Sequence, residues 1–227
     1  MLDFAQLSTR FREMVRDDGL NNALKNIYWV ARRKVRSRPI DQFDVLHGTE
    51  TSREVSLWQL TIPHPDAKLG SHYEATSPEL FLKACSFLPP AAVDFSFIDI
   101  GCGKGRVLIL AKEYGFKKVI GIELSGELLE VTRRNLDKSG VGGVDLEHGS
   151  ALDYRFPEGP LVVFMFNPFG PPALTQVVEN LARHPDFVYL IYINPQHKAS
   201  LDVRFLALHE TVDFGVYQSS QTAMEMA

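Results

Sequence analysis

The sequence has few cysteines and no apolar leader, and both features bear on where the protein works. Its 227 residues contain two cysteines, Cys85 and Cys102, which are too few for the disulfide framework of a small secreted protein. The first residues also lack the apolar core of a secretory signal peptide. A reducing cytoplasm is therefore the expected compartment.

The sequence also lacks a basic excess and a long apolar run. Its formal net charge is -4, whereas dedicated nucleic-acid binders usually carry excess positive charge, so nucleic acid is a possible but not an indicated partner. The basic run at 32–38 is interpreted as a solvated helix end, with an anion site as the alternative. The longest apolar runs, 161–166 and 188–193, have the length of strands, and we expect no membrane span.

The chain divides into two parts by pattern. Apolar residues at helical spacing predict two helices within 1–38, whereas 39–77 shows no clear period and predicts a lid or binding segment. We expect 1–77 to be a helical and irregular N-terminal extension that caps the substrate side, and 78–227 to form an α/β domain.

Strands and helices alternate in the second part. The predicted strands are 95–100, 118–124, 144–147, 161–166, 187–193, 205–209 and 214–217. The predicted helices are 78–87, one that includes 107–111, 125–135 and 171–183. This alternation predicts a doubly wound, mostly parallel seven-strand α/β sheet with helices on both faces.

A glycine-rich turn, Asp99-Ile100-Gly101-Cys102-Gly103-Lys104-Gly105, follows the first predicted strand and precedes a helix. Glycines at this place let a nucleotide-type cofactor approach the backbone closely. The dinucleotide fingerprint requires a third glycine where Arg106 stands, and the Asp99 carboxylate would repel a pyrophosphate. An NAD(P)-dependent oxidoreductase is thus an alternative that these two residues disfavour.

The run Asp-x-Gly-x-Gly-x-Gly resembles the first motif of class I S-adenosylmethionine-dependent methyltransferases. The resemblance implies a Rossmann-like methyltransferase domain at 78–227, with S-adenosylmethionine as the cofactor and the turn wrapped around its methionine part. Class I enzymes use no metal for this contact, and none is expected here. The residues expected to bind the cofactor are Asp99, Gly101, Cys102, Gly103, Gly105, Glu123, Leu124, Ser150, Ala151 and Asn167.

Two of these positions carry further expectations. Glu123 ends the second predicted strand, where an acid can accept hydrogen bonds from both ribose hydroxyls; a helix N-terminal charge beside Ser125 is the alternative. The family usually reads Gly-Asp-Ala after the third strand, and its acid meets the adenine amino group. Here the matching residues are 149–151, with Ser150 in place of the acid, and either Ser150 or Asp153 is expected to serve instead.

The fourth predicted strand is followed by Asn167-Pro168-Phe169, which resembles the Asn/Asp-Pro-Pro-Tyr/Phe motif of amino-group methyltransferases with one proline fewer. The resemblance implies catalytic roles for these three residues. The amide oxygen of Asn167 and a backbone carbonyl would accept hydrogen bonds from the target nitrogen, and the aromatic ring would pack on the substrate or the sulfonium. A simple turn at the strand end is the alternative.

A weaker resemblance links the chain to the non-SET histone-lysine methyltransferases. It rests on the turn 167–171 and on the helix entry 74–77, and it implies a protein lysine as one possible acceptor, beside a small molecule. Glu74, Tyr73 and His148 are candidates for removing a proton from an ammonium acceptor. The functional hypothesis is methyl transfer to a nitrogen nucleophile, and a non-catalytic S-adenosylmethionine-binding module is a further alternative.

Overall fold

The computed structural model of the protein describes residues 41–220. The helices predicted within 1–38 and the basic run 32–38 lie outside the described residues. From Phe43 onwards the chain forms a compact unit, while 1–42 belongs to another unit. Residues 43–77 are part of the same compact unit as the sheet. The domain boundary expected near residue 77 stays a prediction.

The centre of the fold is a seven-stranded sheet in the order β3-β2-β1-β4-β5-β7-β6. The strands are β1 (Ser96–Ile100), β2 (Lys118–Glu123), β3 (Val144–His148), β4 (Leu161–Phe166), β5 (Val188–Ile193), β6 (Phe205–Glu210) and β7 (Phe214–Ser219). β1 to β5 pair in parallel, and β7 pairs antiparallel with both β5 and β6. The predicted mostly parallel seven-strand α/β sheet is confirmed.

Helices cover both faces of this sheet. They are α1 (Gln42–His47), α2 (Pro78–Cys85), α3 (Arg106–Tyr114), α4 (Gly126–Ser139) and α5 (Pro171–Ala182). Buried side chains of α2, α3 and α4 pack on one face and those of α5 on the other, which is the doubly wound arrangement. No helix in the described part of the chain is both long and apolar enough to cross a membrane.

The local sequence explains most of these boundaries. β4 and β5 are almost wholly apolar because helices bury both of their faces. α4 begins after Ser125, whose hydroxyl accepts the Leu128 N–H. It runs beyond the predicted end at 135 because no helix-breaking residue occurs before Gly140, which ends the helix in a left-handed conformation.

The segment 57–74, called the strap below, crosses the carboxyl ends of the parallel strands. It contains two short 3-10 helices, Leu57–Gln59 and Pro65–Leu69. An isolated antiparallel bridge joins Gly70 to Phe169, just beyond β4. The strap is thus bonded to the turn after β4, and its role as a lid stays a prediction.

Candidate functional site

A cavity of about 880 Å³, including its open mouth, lies between the strap and the carboxyl edge of the sheet. In open α/β sheets, ligand sites lie at this edge. The predicted cofactor residues on the cavity wall are Gly101, Gly103, Glu123, Leu124, Ser150 and Ala151. The topology therefore brings the ends of β1, β2 and β3 to one cavity.

The glycine turn between β1 and α3 has a left-handed backbone at each of its three glycines, with φ of 76°, 56° and 84° at Gly101, Gly103 and Gly105. At Gly103 a close contact is a second reason for glycine, besides the left-handed backbone. A Cβ there would lie 2.2 Å from a ring carbon of Tyr73 on the strap. The alternate-glycine spacing therefore suits a turn that the strap contacts from above.

Polar side chains of α4 hold the same turn from behind. The Thr132 hydroxyl donates to the Gly103 carbonyl at 2.6 Å, and the Asn135 amide donates to the Lys104 carbonyl at 2.9 Å. Both side chains are buried, so each bond satisfies a carbonyl that water does not reach. The turn is fixed on its far side, and its near side is left to face the cavity.

Glu123, the last residue of β2, links the glycine turn to the start of α4. Its carboxylate accepts the Gly103 N–H at 2.9 Å and the Ser125 N–H at 2.8 Å. Burial raises the pKa of Glu123, while these backbone hydrogen bonds oppose the rise. A carboxylate has about four acceptor sites, so this one retains sites for further donors in the cavity.

Asp99, near the end of β1, is a second buried acid beside Glu123. Burial, and then the neighbouring Glu123 charge, raise the pKa of Asp99 well above its usual value. Two buried carboxylates that repel one another make a place where a cation would be stabilised. The glycine turn therefore carries the electrostatics of a site for a positively charged ligand.

A smaller cavity of about 270 Å³ lies on the other side of Tyr73, which lines both cavities. Asp99 and Cys102 are on its wall. Burial, followed by the charges of Asp99 and Glu123, raises the pKa of the Cys102 thiol well above its usual value. A buried, neutral thiol of this kind packs as a small apolar side chain beside the turn, and the cofactor contact expected of Cys102 stays a prediction.

Arg106 begins α3 at the position where a dinucleotide site would have its third glycine. The side chain is buried, donates to the Thr51 hydroxyl at 2.7 Å and lies over the Phe43 ring at 4.7 Å. Its guanidinium also lies 3.8 Å from Asp44. An arginine thus stands where the dinucleotide fingerprint has a glycine for close packing of helix on strand.

Ser150 follows β3 at the position where the sequence comparison expected an acid. It is hydrogen-bonded to an acid from a distant part of the chain. Its hydroxyl donates to an oxygen of Asp66, on the strap, at 2.6 Å. Asp66 and Ser150 both line the larger cavity, whereas Asp153 is exposed and away from its wall. Sequence reasoning missed Asp66 because nothing in the irregular strap links it to a residue so distant in the chain.

Comparison with known families agrees with this geometry. Residues 97–185 match the family model described as a methyltransferase domain. The match runs from β1 to the end of the α5 region, and it therefore includes the glycine turn, Glu123 and the turn after β4.

Two individual relatives are similar to this chain over shorter stretches than the family model. A ribosomal protein L11 methyltransferase of Alkaliphilus metalliredigens is 38% identical over 70 residues, which are 30% of this chain and 22% of that protein. A protein-lysine N-methyltransferase of Saccharolobus islandicus is 32% identical over 88 residues, 38% of this chain and 55% of that protein. The chain thus spans from about a fifth to about half of these relatives.

A solved structure extends the likeness of the fold. A putative methyltransferase from Escherichia coli has a TM-score of 0.54, 16% sequence identity, and coverage of 74% of this chain and 98% of that one. At this identity the likeness concerns the fold alone. It covers a larger share of the chain than the matched family region does.

The turn after β4 forms part of the wall of the larger cavity. Pro168 and Phe169 line the larger cavity. Asn167 has a left-handed backbone (φ 37°) and is not on the cavity wall. Its amide oxygen accepts the Tyr192 hydroxyl at 2.9 Å, and its carbonyl accepts the Ser71 hydroxyl at 2.8 Å. The catalytic role of Asn167 stays a prediction, whereas these two hydrogen bonds show its structural role in the turn.

The three candidates for proton removal differ in their placement. Glu74 and Tyr73 line both cavities. The Tyr73 hydroxyl donates to the Thr51 carbonyl at 2.7 Å, and burial raises the pKa of this phenol beyond any working pH. His148 is exposed, bonds to the Leu124 carbonyl and lies away from the wall. Of the three, Glu74 is best placed to meet a proton.

Within 41–220, no group of three potential His, Cys, Asp or Glu ligands comes together. The polar groups of the larger cavity are carboxylates, hydroxyls and backbone amides from several strand ends, and such convergent polar groups orient a ligand in an otherwise apolar cavity.

Proposed function

We propose that the chain is an S-adenosylmethionine-dependent methyltransferase that transfers the methyl group to a nitrogen nucleophile. The observation that carries the proposal is the bond from the Gly103 N–H to Glu123, next to buried Asp99. This bond ties the glycine turn to an acid suited to ribose on the wall of the larger cavity, while Asp99, an acid suited to a cation, lines the adjoining smaller cavity. The methyltransferase family match at 97–185 supports the same conclusion.

The residues present fit this donor. Glu123 would accept the ribose hydroxyls, Leu124 and Ala151 would flank the base, and the glycine turn 99–105 would wrap the methionine part. When bound, the donor supplies a methyl group on a positively charged sulfur. Asp99 would stabilise that charge, and Tyr73 would exclude water between the two cavities.

The acceptor would enter against Pro168 and Phe169, which give one side of the cavity an apolar wall. The attacking nitrogen uses its lone pair to form the bond to the methyl carbon as the carbon–sulfur bond breaks, and the bonding pair stays on sulfur. Alignment of the three atoms supplies most of the acceleration. The Asn167 carbonyl, which already accepts from Ser71, has a second lone pair for an amine N–H.

A protein side chain is the first choice of acceptor, and a small-molecule amine the second. Glu74 lines the cavity and suits an acceptor that arrives as an ammonium and must lose its proton. The similarity to a protein-lysine N-methyltransferase favours lysine. A reducing, cytoplasmic setting is part of the proposal, because the two cysteines, Cys85 and Cys102, are both buried and unbridged.

Methyl transfer to lysate proteins and to a panel of amines, with donor labelled in the methyl group, tests the proposal. We expect acid-stable, base-stable label that is recovered as a methylated amine after hydrolysis. Base-labile label would place the methyl group on a carboxylate instead. Donor binding without transfer to any acceptor would favour the non-catalytic module, and NAD binding alone would favour the oxidoreductase.

Asn167→Ala tests the acceptor side of the cavity. We expect slower transfer with donor affinity mostly intact, because alanine removes the amide that Tyr192 holds and so shifts the turn that presents the Asn167 carbonyl to the amine. Asn194→Ala is the matched control, since Asn194 also has a left-handed backbone (φ 50°) after a parallel strand but lies away from both cavities. Equal loss of donor affinity in Asn167→Ala would move Asn167 from the acceptor to the cofactor.

A further inference from the structure

The acid that is absent after β3 has a counterpart on the strap. Ser150 stands where the family carries an acid, and its hydroxyl donates to Asp66 at 2.6 Å. The two residues are 84 positions apart in the chain. A carboxylate is therefore present at this corner of the cavity, although it is presented from the opposite wall.

The backbone of Asp66 is held in place. It lies in the first turn of the 3-10 helix Pro65–Leu69, and its N–H donates to the ring nitrogen Nδ1 of His64 at 3.2 Å. The side chain is 22% exposed and lines the cavity together with Ser150. The Ser150 hydroxyl takes one acceptor site of the carboxylate, which leaves others for a donor on a ligand.

Ser150 follows the strand that neighbours the ribose acid. Glu123 pairs in register with His148 across β2 and β3, and Ser150 follows two residues later. Neighbouring strands lie about 4.8 Å apart, so a base attached to a ribose at Glu123 extends towards the Ser150 and Asp66 pair. Leu124 and Leu152 line the same part of the cavity and offer apolar surface to the flat ring.

We propose that Asp66 recognises the exocyclic amino group of the donor's adenine, in place of the acid that Ser150 replaces. This inference rests on the proposed function. An ionised aspartate only accepts hydrogen bonds, and the adenine amino group only donates them. A hypoxanthine base instead carries a carbonyl oxygen there, which a carboxylate repels.

Two ligands that differ only at this group test the role of Asp66. Calorimetry on the full chain compares S-adenosylhomocysteine with its deaminated analogue, S-inosylhomocysteine. We expect the wild type to prefer the adenine form by about ten- to a hundredfold, the strength of one hydrogen bond to a charged group. Asp66→Asn removes the charge, and its amide can donate to the carbonyl, so the preference should fall to a few-fold or reverse.

Two further variants separate recognition from folding. Asp153→Asn changes an exposed acid outside the cavity and should leave the preference unchanged. The double variant Asp66→Ser with Ser150→Asp exchanges the two partners and should restore the preference for adenine. A general loss of folding would weaken both ligands alike, whereas loss of recognition weakens only the adenine form.

The outcomes distinguish this inference from the proposed function. Tight binding of S-adenosylhomocysteine with an unchanged preference in Asp66→Asn would overturn the role of Asp66 and leave the donor assignment standing. A preference that collapses in Asp153→Asn instead would assign the amino group to Asp153. Failure of the wild type to bind either ligand would contradict the proposed function itself, and the inference with it.

Discussion

At the scale of single residues, two separate effects require glycine in the turn between β1 and α3. Left-handed φ values call for glycine at Gly101, Gly103 and Gly105. At Gly103 the Tyr73 ring also occupies the space that a side chain would need. Substitution there combines a conformational cost with a steric one, and the two can be measured apart.

Gly103→Ala and Gly140→Ala form a matched pair for this purpose. Gly140 is also left-handed (φ 69°), but a Cβ there would meet nothing within 4 Å. Both variants should lose about 1–2 kcal/mol of unfolding free energy through the left-handed conformation. Gly103→Ala should lose about 1–3 kcal/mol more through overpacking against Tyr73. Urea denaturation measures the difference, and equal losses would show that the ring moves aside at little cost.

The raised pKa of Asp99 predicts how the affinity for the donor depends on pH. Because burial and the Glu123 charge raise the pKa of Asp99, lowering the pH protonates it before an ordinary aspartate. A cationic donor favours the ionised form, so affinity for S-adenosylmethionine should strengthen as the pH rises through that pKa. S-adenosylhomocysteine, which lacks the sulfonium charge, should show a shallower dependence by calorimetry.

Asp99→Asn should flatten this difference between the two ligands, since the amide does not titrate. Asp145→Asn, on the exposed face of β3, serves as the control and should retain the wild-type profiles. Parallel pH profiles for both ligands in the wild type would mean that Asp99 does not meet the sulfonium.

At the scale of elements, the short helix α1 is tied to α3 by an ion pair. His47 donates to Glu113 at 2.7 Å, and its other ring nitrogen lies 2.9 Å from the Phe43 carbonyl. Burial acts to lower the pKa of His47, but the hydrogen bonds to Glu113 and Phe43 outweigh it and raise that pKa. The pair therefore links the stability of this region to pH.

The sign follows from the raised folded-state pKa. The stabilisation is fully present below the unfolded histidine pKa of about 6.5 and is lost as the pH rises through the higher folded value. Because Glu113 is half exposed, the loss should stay under about 1 kcal/mol. Urea denaturation below and above this pH range should show the loss of stability in the wild type and no such loss in His47→Gln. A His47→Gln profile that matches the wild type would remove His47 as the cause.

The same scale separates what the sequence can predict from what it cannot. β4 and β5 follow from apolar runs, and α4 from its Ser125 cap, because these signals are local. The position of Glu123 follows from where β2 ends. Asp66 does not follow, because the strap has no periodic pattern and its partner Ser150 is fixed only by tertiary packing.

Asn167 illustrates a different limit. Its place in the turn after β4 follows from the motif, but the direction of its amide depends on the Tyr192 hydroxyl, which comes from β5. The strand order β1-β4-β5 decides that contact, and no local pattern reveals it. Motif spacing thus locates a residue in the sheet, while neighbouring strands decide what it touches.

At the scale of the whole molecule, the parallel strands and the strap act together. The sheet gathers Asp99, Glu123 and Ser150 at one edge, and the strap brings Tyr73 and Asp66 over them. Each element alone offers only part of a ligand's surroundings. The central claim is that this assembled cavity takes an adenosine donor with a methionine tail and rejects a dinucleotide.

Calorimetry of the wild type and Glu123→Gln with S-adenosylhomocysteine and with NAD tests that claim most directly. Glu147→Gln, on the exposed side of β3, is the control. We predict that S-adenosylhomocysteine binds and NAD does not, and that Glu123→Gln loses about 1.5–3 kcal/mol of affinity through hydrogen bonds to its charge. Binding of NAD alone, or unchanged affinity in Glu123→Gln, would contradict this account of the site.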